Sequence, residues 1–239
     1  MLGQTLNQIY WKTAAMNSIK AVPISRSHAP RTATWLTALL LLVFLTVPLT
    51  TFLFHRFYMA NAPMLPTLRV GDHAFVFKLS YGYSRHSFYG LIPFSGRVFS
   101  KEPKRGDVVA FKLPHDDSTD YIRRVIGLPG DTINVRDGVV FINGTEVPRR
   151  RIADFVTHED GGPPRPIPAY EEQLPNGVKY TVLDAEENGP FDNVGFYEVP
   201  KGKYFMMGDN RDNSTDSRWY KLASVPFEKL LGRVAFTVP

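Results

Sequence analysis

The chain of 239 residues contains no cysteine. This absence excludes disulfide bonds, thiolate catalysis and zinc sites built from cysteine ligands. The histidines do not compensate, because their spacing matches neither a metal-ligand pattern nor a catalytic triad; those after residue 50 are His55, His73, His86, His115 and His158. We therefore expect neither a metal ion nor another cofactor.

Acidic residues are missing from the front of the chain. None precedes Asp72, whereas the first 71 residues contain six Lys and Arg. The chain as a whole has 28 basic and 23 acidic residues, so its basic character comes from this front segment. The charges nearly balance in the remainder, and we expect no basic face for nucleic acid.

Residues 34–54 are a run of 21 residues without a charge, rich in Leu, Val, Phe and Thr. At about 1.5 Å per residue, a helix of this length crosses a hydrocarbon core of about 30 Å. Pro48 lies within the run and is better tolerated in a membrane helix than in a soluble one. A cleaved secretory signal fits less well, because the run is long and no small-residue cleavage site follows it. We predict one transmembrane helix.

The flanks of this run predict its orientation. The positive-inside rule places the basic N-terminal arm, residues 1–33, in the cytoplasm. Residues 57–239 then form an extracytoplasmic domain, although Arg56 and Arg69 lie on the far side and weaken the charge bias slightly. The basic residues before the run are Lys12, Lys20, Arg26 and Arg31.

The sequence after the apolar run has the pattern of short β-strands and no convincing helical period. Asp137-Gly138 and Asn143-Gly144 separate three short apolar runs, and both dipeptides suit tight hairpin turns with positive φ. Residues 149–178 are rich in Arg, Gly and Pro and are interpreted as a surface excursion. We predict an all-β domain of short antiparallel strands, with strands over 73–77, 108–112, 132–135, 139–142, 145–147, 178–183, 195–199, 204–207 and 234–238.

Residues 61–68 read Asn-Ala-Pro-Met-Leu-Pro-Thr-Leu. This block is close to the Pro-Ser-Gly-Ser-Met-x-Pro-Thr-Leu box of type I signal peptidases, and three further blocks also resemble that family, in particular its Gram-negative type. Residues 105–111 resemble a structural strand, and residues 120–131 resemble the block that carries the catalytic lysine. Residues 208–218, Gly-Asp-Asn-Arg-Asp-Asn-Ser-Thr-Asp-Ser-Arg, resemble the most distinctive signature. The resemblance covers the chain from about residue 34.

The resemblance implies an anchored, all-β serine protease that removes signal peptides from exported preproteins. Such an enzyme lies in the inner membrane, crosses it once, and keeps its N-terminus in the cytoplasm and its C-terminal domain in the periplasm. Its partners are signal peptides, preproteins and the lipid bilayer. A neutral, desolvated lysine takes the proton of a nucleophilic serine, and an oxyanion hole stabilises the tetrahedral intermediate.

Both positions of this serine–lysine dyad are substituted. Pro63 stands at the nucleophile position and offers neither a hydroxyl nor the backbone N–H that supplies half of the oxyanion hole. Arg123 stands at the base position, and arginine does not release its proton in proteins. Asn61 occupies the position of the serine that supplies the other oxyanion donor, and Ala62 replaces a glycine.

The remaining family positions are largely retained. By resemblance, apolar pockets for small substrate side chains are lined by Phe57, Met59, Met64, Leu68 and Ile122. The residues expected to support the site are Asp209, Asn210, Arg211, Ser214, Asp216 and Arg218, where Asp216 and Arg218 form an ion pair and Ser214 is able to hydrogen-bond Arg123. Ordinary core packing explains the apolar set equally well.

Three hypotheses follow. The first is a pseudo-protease that binds signal peptides without cleaving them or acts beside an active paralogue. The second is an active signal peptidase with relocated catalytic groups. Ser80 and Ser84 are candidates by residue type, Thr67 lies in the right loop but has a structural role in the motif, and Lys78 and Lys112 are expected to be solvated. The third is a decaying or engineered copy.

Overall fold

The computed structural model describes residues 31–88, 94–157, 163–220 and 222–239. Most of the predicted N-terminal arm therefore lies outside the described residues. Helix α1 spans Arg31–Leu53. Within it, Trp35–Leu53 is the one helical segment of the described chain that is long and apolar enough to cross a membrane. Most of its described apolar side chains are exposed, for example Phe44 at 78 % and Leu45 at 69 %.

The second compact unit, Pro48–Pro239, consists of short antiparallel strands, which confirms the predicted all-β class. The strands are β1 (Phe54–Tyr58), β2 (His73–Phe77), β3 (Val108–Leu113), β4 (Asp116–Gly127), β5 (Thr132–Arg136), β6 (Val139–Ile142), β7 (Thr145–Glu146), β8 (Arg149–Arg151), β9 (Phe155–Thr157), β10 (Arg165–Ile167), β11 (Ala169–Gln173), β12 (Lys179–Leu183), β13 (Val194–Glu198), β14 (Lys203–Met207), β15 (Val225–Pro226) and β16 (Leu230–Val238).

The largest sheet has the strand order β1-β2-β16-β3-β4-β14-β15. The C-terminal strand β16 thus inserts between β2 and β3, and this long-range pairing brings the end of the domain back to its beginning. A four-stranded sheet, β13-β5-β6-β7, and a three-stranded sheet, β12-β11-β8, complete most of the domain, and β9 pairs with β10.

The two predicted hairpin turns are confirmed. Asp137 and Gly138 have φ of 48° and 73°, and Asn143 and Gly144 have φ of 54° and 76°. Positive φ at both central residues is the requirement of a type I′ turn, whose twist matches that of the flanking strands. These turns set the register of β5, β6 and β7.

Residues 149–178 are not the simple surface excursion that the sequence predicted. They contain the four short strands β8 to β11, and β11 pairs with both β8 and β12. Ala169, Glu172 and Leu174 in this segment are almost completely buried. The Pro- and Gly-rich composition reflects the turns between the strands, whereas the buried positions depend on partners distant in sequence. Residues 158–162 of this segment lie outside the described residues.

A buried ion pair holds the three-stranded sheet to the 208–218 block. Arg211 donates from Nη2 to Oε2 of Glu172 at 2.5 Å, and both side chains are about 98 % buried. The hydroxyl of Tyr180 donates to the same carboxylate oxygen at 2.5 Å. Such a pair adds little over an apolar contact but is costly to break, because one partner then leaves the other charge buried alone.

We predict that Glu172→Gln lowers the free energy of unfolding by about 3–5 kcal/mol, because the charge of Arg211 loses its counterion. The matched control is Glu171→Gln on the same strand, whose carboxylate bonds Arg150 and Lys179 at the surface and should matter little. Urea unfolding of the detergent-solubilised protein, followed by tryptophan fluorescence, measures both. Equal effects of the two substitutions would contradict the prediction.

Candidate functional site

A cleft of about 990 Å³ opens beside the 61–68 loop. Three parts of the chain line it: residues from β1 through the loop, the middle of β4, and β9. Two residues of the 208–218 block complete its wall. The lining residues are Phe57, Tyr58, Met59, Ala60, Asn61, Ala62, Pro63, Leu65, Arg69, Val70, Asp120, Tyr121, Ile122, Arg123, Phe155, Val156, Thr157, Asn213 and Thr215.

Asn210 holds the loop that carries Ala62 and Pro63 through two hydrogen bonds. The backbone N–H of Asn210 donates to the carbonyl of Pro63 at 3.1 Å, and its side-chain amide donates to the carbonyl of Ala62 at 3.0 Å. A methyl group added to Gly208 would lie 2.6 Å from the Pro63 oxygen. The 208–218 block therefore packs directly against the loop, and only glycine fits at its first position.

A buried network fixes the other end of the same loop. Arg124 on β4 donates to both carboxylate oxygens of Asp209, at 2.8 and 2.5 Å. Thr67 donates its hydroxyl to Asp209 at 2.5 Å. Burial by itself lowers the pKa of Arg124, but the adjacent Asp209 raises it on balance. Thr67 is thus engaged in a structural bond, which argues against it as a relocated nucleophile.

Arg123, the neighbour of Arg124 on β4, faces the cleft. It is only 5 % exposed and donates to the carbonyls of Ile122 and Thr215 at 2.7 and 2.9 Å. Its guanidinium carbon lies 4.7 Å from the centre of the Tyr121 ring. Burial lowers the pKa of Arg123 and the charge of Asp216 partly opposes this effect, yet a guanidinium keeps its proton at physiological pH.

Ser214 and Asp216 differ in their hydrogen bonding. In the described part of the chain, Ser214 Oγ and Arg123 Nε are both buried without a hydrogen-bond partner, so the bond expected between Ser214 and Arg123 is not formed. Asp216, by contrast, accepts from Arg218 at 2.9 and 2.8 Å and from the N–H of Gly208 at 2.9 Å. Burial raises the pKa of Asp216, but Arg218 and these hydrogen bonds lower it on balance.

The cleft contains part of the apolar set expected from sequence. Phe57, Met59 and Ile122 line it. Met64 and Leu68 do not: they are 0 % and 2 % exposed and pack in the core beneath the loop. Resemblance at these positions does not distinguish a cleft wall from the core under it, because both bury apolar side chains.

Five other residues that line the cleft were not assigned a role by any sequence motif. Phe155, Val156 and Thr157 reach the cleft from β9, inside the segment interpreted as a surface excursion. Leu65 and Thr215 lie in recognised blocks but at positions without an assigned role. Proximity in the fold, rather than any motif, identifies all five.

The candidates for a relocated dyad lie away from the cleft lining. Lys78 and Lys112, which were expected to be solvated, are 4 % and 9 % exposed. Lys78 donates to the carbonyls of Thr51 and Ser87 at 3.1 and 3.3 Å. Lys112 pairs with Asp120 at 2.7 Å. Neither lysine lines the cleft, and Ser80 and Ser84 do not line it either.

Comparisons with known proteins agree with the resemblance. The family model described as signal peptidase, peptidase S26, matches residues 32–238. Signal peptidase I of Rickettsia typhi is 41% identical over 189 residues, which covers 75% of this chain and 70% of that protein. Signal peptidase I of Rickettsia bellii is 36% identical over 206 residues, covering 82% and 70%.

A crystal structure of a signal peptidase I from Enterococcus faecalis is also similar. It is 28% identical, covers 56% of this chain and 98% of its own, and has a TM-score of 0.33. The family model spans nearly the whole chain, and the Rickettsia relatives are well above 30% identity over most of it. The chain therefore belongs to the signal peptidase family, peptidase S26.

Proposed function

We propose that this family member binds signal peptides in its cleft without cleaving them. The observation that carries the proposal is the presence of Pro63 and Arg123 in one cleft, at the two positions where the family has its serine and its lysine. The second candidate, an active peptidase with relocated groups, is the alternative that the cleavage experiment below tests.

Pro63 removes two catalytic functions at once. It has no hydroxyl to attack a carbonyl, and it has no backbone N–H to stabilise the oxyanion. Its carbonyl is engaged by the N–H of Asn210 at 3.1 Å, so the loop keeps its conformation while its chemistry is gone. Asn61 lines the cleft and carries an amide that is able to donate, but a single donor does not replace a nucleophile.

Arg123 removes the base. A general base must accept a proton at the working pH, and a guanidinium has no acceptor. In subtilisin-type enzymes, the loss of one member of a catalytic unit lowers kcat by about 10⁴ to 10⁶, with non-additive effects. A loss of that size at both positions leaves no useful turnover.

The site retains side chains suited to binding a peptide, although it lacks the side chains needed to cleave one. The cleft has apolar walls from Phe57, Met59, Ile122 and Val156, and its loop is braced by Asn210 and by the Arg124–Asp209 pair. Apolar walls of this kind suit the apolar side chains of a signal peptide. A scaffold that remains braced after its catalytic groups have been replaced supports a binding role.

The proposal includes a topology. Residues 1–33 lie in the cytoplasm, residues 34–54 cross the inner membrane, and residues 57–239 form the periplasmic domain. The support is the basic front segment and the single long apolar helix. The cleft then meets signal peptides of preproteins at the outer surface of the bilayer, where an active paralogue is able to process them.

We predict that the protein in detergent does not cleave a preprotein, and that Pro63→Ser/Arg123→Lys raises the cleavage rate by about 10³-fold or more. Each single substitution should remain inert, because serine and lysine act as a unit. The control is Pro63→Ala/Arg123→Lys, which restores the N–H but not the hydroxyl. Cleavage is read as product on a gel over time. Turnover by the unmodified protein would overturn the proposal in favour of relocated catalytic groups.

A second prediction concerns binding. A fluorescent signal peptide should bind the unmodified protein, measured by anisotropy, and Val156→Asp should weaken binding about 5-fold or more, because a charge in an apolar wall must be desolvated. Val156 is 50 % exposed, so the substitution should not disturb folding. Phe196→Asp, at a 71 % exposed position outside the cleft lining, is the matched control. Absence of peptide binding by the unmodified protein would contradict the proposal.

A further inference from the structure

Arg123 differs from the other buried arginines in lacking an acidic partner. Buried arginines in the described chain are Arg123, Arg124, Arg211 and Arg218. Three of them bond a buried carboxylate at 2.5–2.8 Å, respectively Asp209, Glu172 and Asp216. Among the described residues, no carboxylate lies within ion-pair distance of Arg123, whose side chain bonds only two carbonyls. Its charge is therefore the one without a directly bonded counterion, and Asp216 acts on it only at longer range.

Arg123 also has donors to spare. A guanidinium has five N–H groups, and the two bonds to carbonyls use one on each Nη. The Nε group is buried without a partner among the described residues. A buried cation with unused donors is unfavourable unless an anion comes within reach. Because Arg123 lines the cleft, such an anion is able to come from a bound ligand.

The charges around the cleft favour an anionic ligand. Its charged lining residues are Arg69, Asp120 and Arg123. The carboxylate of Asp120 is already paired with Lys112 at 2.7 Å, and Arg69 is exposed. The cleft is thus positive beside Pro63, and apolar side chains such as Phe57, Ile122 and Val156 line other parts of it. An apolar chain with one negative charge at its end has the complementary chemistry.

We propose that the cleft recognises apolar peptides that end in a free α-carboxylate, with the carboxylate paired to Arg123. The proposal rests on the proposed function and specifies its ligand. At the position of the scissile bond, an intact preprotein presents a neutral amide, whereas a signal peptide that has already been cut presents a carboxylate. A carboxylate accepts charge-assisted hydrogen bonds from a guanidinium, and these are roughly twice as strong as neutral ones. The preferred ligand is therefore the product of peptide hydrolysis by another enzyme, rather than the precursor.

The test compares two forms of one peptide. A fluorescent signal peptide is synthesised with a C-terminal carboxylate and with a C-terminal amide, and each is titrated with the full-length protein in detergent. We expect the acid to bind about 10-fold or more tightly than the amide. Equal affinities would overturn this inference while leaving the proposed function in place. If neither form binds, the proposed function itself fails.

Variants assign the preference to Arg123. In Arg123→Gln the acid and the amide should bind equally, while Arg123→Lys should keep part of the preference because it keeps the charge. Arg69→Gln removes an exposed charge from the same lining and should leave the preference nearly unchanged. If Arg69→Gln abolishes the preference and Arg123→Gln does not, the assignment is overturned. The acid–amide comparison on the unmodified protein stands even where a variant fails to fold.

A further arm identifies the source of the carboxylate. A hydrophilic peptide with the same last three residues and a free C-terminus presents the same anion without the apolar chain. We expect it to bind at least 10-fold more weakly than the signal peptide acid, because it does not fill the walls formed by Phe57, Ile122 and Val156. Equal binding would mean that any protein C-terminus serves, which contradicts the apolar part of the inference.

Discussion

The geometry of the cleft depends on the buried contact between Arg124 and Asp209. It joins strand β4 to the 208–218 block, and Thr67 brings the 61–68 loop into the same network. Three segments distant in sequence are thus fixed around one carboxylate. Both charges are almost fully buried, so the pair tolerates the loss of neither partner. The rest of the site is arranged on this framework.

Arg123 lies next to Arg124 on β4, and the residue type at this position decides which chemistry is possible there. A buried lysine is able to lose its proton and become a base, because desolvation favours the neutral amine. An arginine in the same place keeps its charge and spreads it over a planar group that prefers carboxylates. On the proposed function, Arg123 replaces proton transfer at this position with anion recognition, and Pro63 leaves no nucleophile for a base to activate.

The packing around Pro63 is tight. Gly208 still approaches the Pro63 carbonyl too closely for any side chain, and Asn210 still holds both Ala62 and Pro63. Asp216 and Arg218 remain a bidentate pair behind the loop. Two of the unpaired buried atoms in the described chain are Arg123 Nε and Ser214 Oγ. Others belong to the structural Glu172–Arg211 pair, so unpaired atoms are not confined to the cleft.

Sequence alone determined the all-β class, the two type I′ hairpins and the long apolar helix, and it identified Pro63 and Arg123 as departures from the pattern of the family that the chain resembles. These features depend on local backbone preferences or on which functional groups a side chain carries. The tertiary structure decided the remainder. It placed Met64 and Leu68 in the core, brought Phe155 to Thr157 to the cleft, and buried Lys78 and Lys112, because burial depends on strands paired across long stretches of chain. Among the described residues it also left Arg123 without a directly bonded carboxylate, since ion pairing is settled by the distances between side chains after folding.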